Sequence, residues 1–262
     1  MSPHQFDQTV VQITGAASGL GRLAAERFSA EGALLALSDV DGEKLKDVAV
    51  GLRAKGGRVL AERLDVTVET DVAAHFEAVK EEYGQLDVAI NNAGRAHPLT
   101  PLPSIDLETF EKVMAVNTRG VFLGLKYQIP QMLQQGKGTI LNMASVAGLV
   151  GAGYLAAYAA SKRAIVGLTR SAADEVAGKG IRINALCPAF AQTPMLDQMT
   201  DQLATRHGLT GEEAAQRLTK RIPMTRTIQP EEVVDAMLWI CSPGNSAMTG
   251  QAIAVDGGLT AI

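Results

Sequence analysis

The chain alternates between two hydrophobic rhythms. Short, nearly unbroken apolar runs of strand length recur at Thr9–Thr14, Ala33–Ser38, Arg58–Leu64, Leu86–Ile90, Thr139–Met143 and Gly180–Cys187. Between them lie longer stretches with helical spacing: Leu23–Ala30, Gly42–Lys55, Glu69–Tyr83, Asp106–Gln135 and Tyr154 to about Ala177. In Glu69–Tyr83, Val72, Phe76 and Val79 fall on one helical face. A strand apolar on both sides is buried on both sides, as in a parallel sheet. Regular strand–helix alternation therefore predicts a doubly wound α/β sheet with helices on both faces. The tail Gly250–Gly258 reads as a last strand and turn. No linker, repeat or low-complexity segment interrupts the pattern, so residues 1–262 are expected to form a single domain.

One interruption in the charge pattern changes the picture. Between Lys137 and Lys162 no residue carries a formal charge. Thr139, Asn142, Ser145 and four glycines break the run, which argues for a buried strand, a loop and a packed helix rather than a membrane span. Asn117 falls inside the preceding helical region. Asn is a poor helix-interior residue because its side chain competes for backbone groups, so a local distortion is expected there.

Composition narrows the partners. Twenty-four basic and twenty-eight acidic residues leave a mildly acidic chain, and no basic run suggests nucleic acid. Cys187 and Cys241 lack metal-ligand spacing and the four histidines are scattered, so no metal site is expected. The first residues lack a secretory pattern, and a soluble cytoplasmic protein is expected.

Candidate chemistry gathers at strand ends, where ligands of such sheets sit. The first strand runs into Gly15-Ala-Ala-Ser18-Gly19-Leu20-Gly21 and then a helix. That order brings backbone N–H groups and a helix N-terminus against a phosphate, with glycines permitting close approach. The second strand ends in Asp39, twenty residues after Gly19, where a carboxylate can accept from an adenosine ribose. It would repel a 2′-phosphate, and neither Ala17 nor Val40 offers a compensating charge, so NAD is favoured over NADP. Asp39 or Asp41 could instead cap the following helix. Asp65-Val66 and Asn91-Asn92-Ala93-Gly94 close the third and fourth strands, and buried Asn residues of this kind also serve simply to tie strands together. Tyr158 and Lys162 are four residues apart, on one helical face, with Ser145 at the end of the preceding strand. A nearby ammonium favours the phenolate and eases proton exchange at the phenol. Arg95 and His97 follow Gly94 as a solvated loop pair or as partners for a substrate carboxylate. Met195, Leu196, Met199 and Leu203 recur at near-helical spacing, as core packing or as an apolar substrate wall.

Taken together, Thr14-Gly-x-x-x-Gly-x-Gly21, Asp65, Asn91-Asn-Ala-Gly94, Asn117, Ser145, Tyr158-x-x-x-Lys162, Pro188 and Thr193 resemble the short-chain dehydrogenases/reductases over nearly the whole chain. The resemblance implies a Rossmann-like fold and a hydride exchanged between NAD and a secondary alcohol or ketone, with an apolar or cyclic substrate expected. It implies Tyr158 as general acid/base, Lys162 holding the nicotinamide ribose, Ser145 orienting the substrate oxygen, and Asn117 holding a water that links Lys162 to solvent. Gly15, Ser18, Gly19, Leu20, Gly21, Asp39, Asp65, Val66, Asn91, Asn92, Ala93, Gly94, Pro188 and Thr193 would bind the cofactor. Residues 193–225 would form a cover over the substrate, and subunits would assemble as dimers or tetramers. One residue departs from the pattern: Ala189 stands where the family commonly has Gly, which would narrow the nicotinamide pocket or shift the Phe190–Thr193 loop. Two rival readings are a 3-oxoacyl thioester reductase, disfavoured by Asp39, and a non-catalytic nucleotide-binding regulator, disfavoured by the intact Ser145, Tyr158, Lys162 and Asn117.

Overall fold

A computed structural model describes residues 4–261. Seven parallel strands lie in the order β3-β2-β1-β4-β5-β6-β7. They are β1 (Val10–Thr14), β2 (Leu34–Asp39), β3 (Val59–Arg63), β4 (Val88–Asn91), β5 (Gly138–Met143), β6 (Ile181–Pro188) and β7 (Ala252–Val255). Strand order reverses between β1 and β4, and at such a switch point a crevice opens above the carboxyl ends of the strands.

The pleat sorts side chains between two helical layers. Val11, Ile13, Leu35, Leu37, Val88, Ile90 and Leu141 face α1 (Gly19–Ala30), α2 (Gly42–Ala54) and α9 (Pro230–Cys241). Val10, Ala36, Ala89, Ile140, Ile183 and Ala185 face α3 (Glu69–Tyr83), α5 (Gly120–Gln135) and α6 (Ala156–Val176). The doubly wound Rossmann-like sheet predicted from the apolar runs is thus observed, with core on both faces. No helix among the described residues is long and apolar enough to cross a membrane.

Two local differences from the sequence reading, and one expected feature, bear on the site. The first helix begins at Gly19 rather than Leu23, so the glycine turn itself supplies its first turn. The helix bearing Tyr158 begins at Ala156 rather than Tyr154, whose φ of 65° lies in the left-handed region and cannot continue a right-handed helix. The distortion expected at Asn117 is one π turn, Ala115–Arg119, joining α4 (Leu107–Met114) to α5. After β6 the chain builds a helical pair, α7 (Pro194–His207) and α8 (Gly211–Thr219), beside the crevice.

Candidate active site

The crevice is a cleft of about 1860 Å³ running from the end of β2 to the α7–α8 pair. Its floor at one end is the turn between β1 and α1. Gly15 and Gly19 both take positive φ, and a Cβ on Gly15 would sit 2.9 Å from the Ala93 Cα. Ser18 occupies the N-cap of α1 without a side-chain cap, and the first turn contains no acidic residue. The first N–H groups of α1 therefore stand free of side-chain acceptors at the positive end of the helix, a fit for a phosphate group.

The neighbouring strand end holds this turn in place. Thr14 Oγ1 accepts from the N–H groups of Asn92 at 3.1 Å and Ala93 at 3.0 Å. Asn92 Nδ2 donates to the Thr14 carbonyl at 2.9 Å and the Gly15 carbonyl at 3.1 Å. Thr14, a strand residue in the sequence reading, is a knot of this stitching. Asp39 is tied in as well: its carboxylate accepts from the N–H groups of Ala17 at 2.9 Å and Asp41 at 3.0 Å, and faces the cleft. Asp41, not Asp39, caps α2 by accepting from Lys44 N–H at 3.2 Å. Asp65 accepts from the N–H and hydroxyl of Thr67 and lines the cleft with Val66.

Across the cleft, Ser145 and Tyr158 line the same wall. Ser145 Oγ accepts from Ala147 N–H at 3.2 Å and donates to the Pro188 carbonyl at 3.5 Å, which fixes its direction. Lys162 is 4% exposed, and its ammonium donates to the Met143 carbonyl at 2.7 Å. It lies 5.6 Å from the Tyr158 ring centroid. Burial lowers the Lys162 pKa to about 8. Burial also raises the Tyr158 pKa, and the neighbouring Ser145 hydroxyl offsets only part of that. The sequence reading has the Lys162 ammonium favour the phenolate; in this structure the ammonium donates to a carbonyl, and burial holds the phenol toward its protonated form.

Most predicted residues meet at this cleft: Gly15, Ser18, Gly19, Leu20, Asp39, Asp65, Val66, Asn92, Ala93, Gly94, Ser145, Tyr158, Lys162, Pro188 and Thr193 line it. Three do not. Gly21 lies behind the turn, where a Cβ would sit 2.1 Å from the Gly15 carbonyl oxygen. Asn91 is buried below the floor, hydrogen-bonded to Gln128 and Asn142. Its side chain ties β4 to β5 and α5, the strand-tying alternative. Asn117 is wholly buried; its Oδ1 accepts from Arg95 N–H at 2.8 Å, and its Nδ2 donates to the Arg95 carbonyl at 2.9 Å and Ser161 Oγ at 2.8 Å. It clamps the loop after Gly94, and a Cβ on Gly94 would lie 3.4 Å from both Asn117 Oδ1 and Lys162 Nζ. Ser161 and Gln128, both hubs here, gave no sequence signal beyond being polar in helices.

The remaining expectations divide. Arg95 is exposed, whereas His97 is buried with Nδ1 2.7 Å from the Pro98 carbonyl, so the solvated loop pair is half corrected. The Ala189 side chain is accommodated against the Val146–Ile222–Leu259 cluster, and its N–H donates to the Val255 carbonyl at 3.1 Å. Thr193 is the N-cap residue of α7, with its hydroxyl donating to the Ala191 carbonyl at 3.3 Å. Leu196 is buried, while Met195, Met199 and Leu203 are partly exposed along the cleft. Among the described residues no cluster of metal-ligating side chains is present.

Comparison with known proteins agrees with this geometry. The family described as Enoyl-(Acyl carrier protein) reductase matches residues 15–260. The chain is 38% identical over 257 residues to cis-4-hydroxycyclohexanecarboxylate dehydrogenase of Sinomonas cyclohexanicum, covering 98% of each chain. Its fold superposes on the crystal structure of levodione reductase with a TM-score of 0.93 at 38% identity, covering 98% of this chain and 99% of that one. It superposes on an actinorhodin polyketide ketoreductase solved with NADPH with a TM-score of 0.92 at 35% identity, covering 96% and 97%. The chain belongs to the short-chain dehydrogenase/reductase family of nicotinamide-dependent oxidoreductases.

Proposed function

We propose that the protein is an NAD(H)-dependent dehydrogenase/reductase of secondary alcohols and ketones, acting on an apolar, cyclic carbon skeleton. The observation that carries this reading is the meeting of Ser145, Tyr158 and Lys162 on one wall of the cleft, facing a glycine turn with a free helix N-terminus. When bound, a nicotinamide cofactor supplies or accepts the hydride. The chain's own residues do the rest. The N–H groups of Gly19 and Leu20 at the start of α1, beside Ser18 and the close turn at Gly15, hold the pyrophosphate. Asp39 holds the adenosine ribose, Asp65 and Val66 the adenine, and Ala93, Gly94, Lys162, Pro188 and Thr193 the nicotinamide half. Asn92 acts by fixing the turn. Asn91 and Gly21 act only as support.

Tyr158 gives its proton to the ketone oxygen in reduction and takes it back in oxidation. Ser145, turning its single hydroxyl proton from the long contact with the Pro188 carbonyl, donates to the same oxygen and fixes its position. Because burial holds the phenol protonated, reduction is served over a wide pH range, and oxidation gains as rising pH removes the proton. Asn117 positions Lys162's surroundings by clamping Arg95, and the second lone pair of its Oδ1 remains for a water. The α7–α8 segment, within residues 193–225, covers the substrate with Met195, Leu196, Met199 and Leu203. The cyclic substrates named for two of the relatives support a ring-shaped skeleton.

NAD is proposed over NADP because Asp39 occupies the ribose end and no Lys or Arg lines the cleft beside it. Lys44, on the next helix, is paired with Asp41 at 2.8 Å. We further place the protein in the cytoplasm, where the buried, unpaired Cys187 and Cys241 stay reduced, and infer self-association through α4 and α5, where Phe110 and Phe122 are exposed. The test is the ratio of kcat/KM with NADH to that with NADPH. It should favour NADH by about tenfold or more, and Asp39→Ala should shrink it by a similar factor. A preference for NADPH in the unmodified protein overturns the assignment.

A further inference from the structure

Charge is distributed unevenly along the cleft. The carboxylates on its wall are Asp39, Asp65 and Glu111, and on the body side Arg95, Lys112 and Arg119 line it with them; the segment from α7 to just past α8 adds no carboxylate and presents Arg206, Arg217 and Arg221. The three arginines are not equivalent. Arg206 is already used: its guanidinium lies 4.5 Å from the Tyr154 ring centroid and donates to the Leu99 carbonyl at 3.1 Å. Arg217 and Arg221 are exposed and, among the described residues, make neither an ion pair nor a side-chain hydrogen bond. Glu213 lies one helical turn before Arg217 and could have paired with it, but its carboxylate turns back to accept from Thr210 N–H at 2.7 Å. Two like charges four residues apart on one short segment repel, and among the described residues no carboxylate pairs with either.

Their placement relative to the chemistry is fixed by the residue beside them. Ile222, 1% exposed, packs against Val146 and Leu259, and Val146 follows Ser145 directly in the chain. The backbone at Arg221 is therefore anchored by its neighbour to the loop that begins at Ser145, and Arg221 lines the same cleft. The inner wall between is apolar, with Val150, Leu155, Phe190 and Met199. A substrate that fills this end meets, in order, a proton donor, an apolar wall and a pair of unpaired cations.

We propose that the substrate carries an anionic group, a carboxylate or sulfonate, at the end remote from the reacting carbon, and that Arg217 and Arg221 receive it. This inference rests on the alcohol/ketone reading and adds the substrate's charge to it. Guanidinium groups stay charged at all working pH values and match the fork of a carboxylate or sulfonate. Because both are solvent-exposed, their contribution is modest and falls with salt.

The test compares 4-oxocyclohexanecarboxylate with its methyl ester, at saturating NADH. The unmodified protein should prefer the acid by about tenfold in kcat/KM, through KM, and the preference should fade as sodium chloride is raised. The double variant Arg217→Gln/Arg221→Gln should bring the ratio close to one, leaving the ester's kcat/KM and the Kd for NADH unchanged. Thermal melting of the variant checks that its fold is retained. Equal efficiency on acid and ester in the unmodified protein, or a preference that survives the double variant, overturns this inference and leaves the reductase reading standing. A variant that loses NADH affinity instead would assign the arginines to the cofactor and overturn it too. Failure to reduce any ketone, with NADH bound, overturns the reductase reading and this inference with it.

Discussion

The two ends of the cleft are built by different means. At the proposed cofactor end, the glycine turn offers backbone N–H groups, side chains such as Thr14 and Asn92 hold that backbone still, and Asp39 both ties the turn and faces the cleft. At the cover end, side chains face the ligand directly, from two helices joined to the body by a few contacts. Leu99 N–H donates to Gln202 Oε1 at 2.9 Å, Arg206 reaches the Leu99 carbonyl, and Leu196 is the one buried side chain of α7. A phosphate-bearing cofactor of constant shape suits a fixed cradle, whereas a substrate is selected by whichever side chains the cover presents. The proposed catalytic triplet stands between, with Ser145 held by Ala147 and Pro188 and Lys162 held by Met143.

That contrast can be broken at four places, in falling order of effect. Replacing Tyr158 with Phe removes the proton partner from both directions of reaction. Turnover should fall by about a thousandfold or more while the Kd for NADH, followed by its fluorescence on binding, changes little. Near-normal turnover would remove Tyr158 from the mechanism. Asn92→Ala takes away the two carbonyl contacts that hold the glycine turn, and should weaken NADH binding by about tenfold to a hundredfold. Asn91→Ala, one residue away but below the floor, should instead lower stability to urea by about 1–3 kcal/mol and leave the NADH Kd of the folded protein nearly unchanged. Equal effects of the two on NADH binding would erase the distinction drawn between cradle and support. Arg206→Ala loosens the cover at Tyr154 and Leu99. It should raise the ketone KM severalfold, with NADH affinity intact; a loss of NADH affinity would show that the two ends are not separate.

The same contrast explains what the sequence could convey. The cofactor end was legible because its demands are local and spaced along the chain: a strand, glycines at fixed steps, a helix, then an acid after the next strand. Tyr158 and Lys162 were legible as a pair one helical turn apart, and Ser145 as a polar residue closing an apolar strand. The distinction between Asn91 and Asn92 was not, because it depends on where the strand stops: Asn91 is the last residue of β4 and its side chain is tied to Gln128 and Asn142, whereas Asn92 lies just past the strand end and reaches the glycine turn. Nor was the direction of the Lys162 ammonium legible, since its acceptor at Met143 belongs to a different element, nineteen positions away. The unpaired state of Arg217 and Arg221 was invisible for a further reason. Glu213 sits at helical spacing from Arg217, and the sequence alone suggests an ion pair that the Thr210 cap prevents.

The central claim is that this cleft carries out hydride transfer and does not merely bind a nucleotide. The most direct measurement is a single turnover: protein loaded with NADH is mixed with a panel of cyclic ketones, and the absorbance of NADH is followed. The account predicts that with at least one cyclic ketone the bound NADH is consumed stoichiometrically with alcohol formed, and that Tyr158→Phe, equally loaded, fails to do so. NADH that binds tightly and stays unoxidised across the whole panel would contradict it.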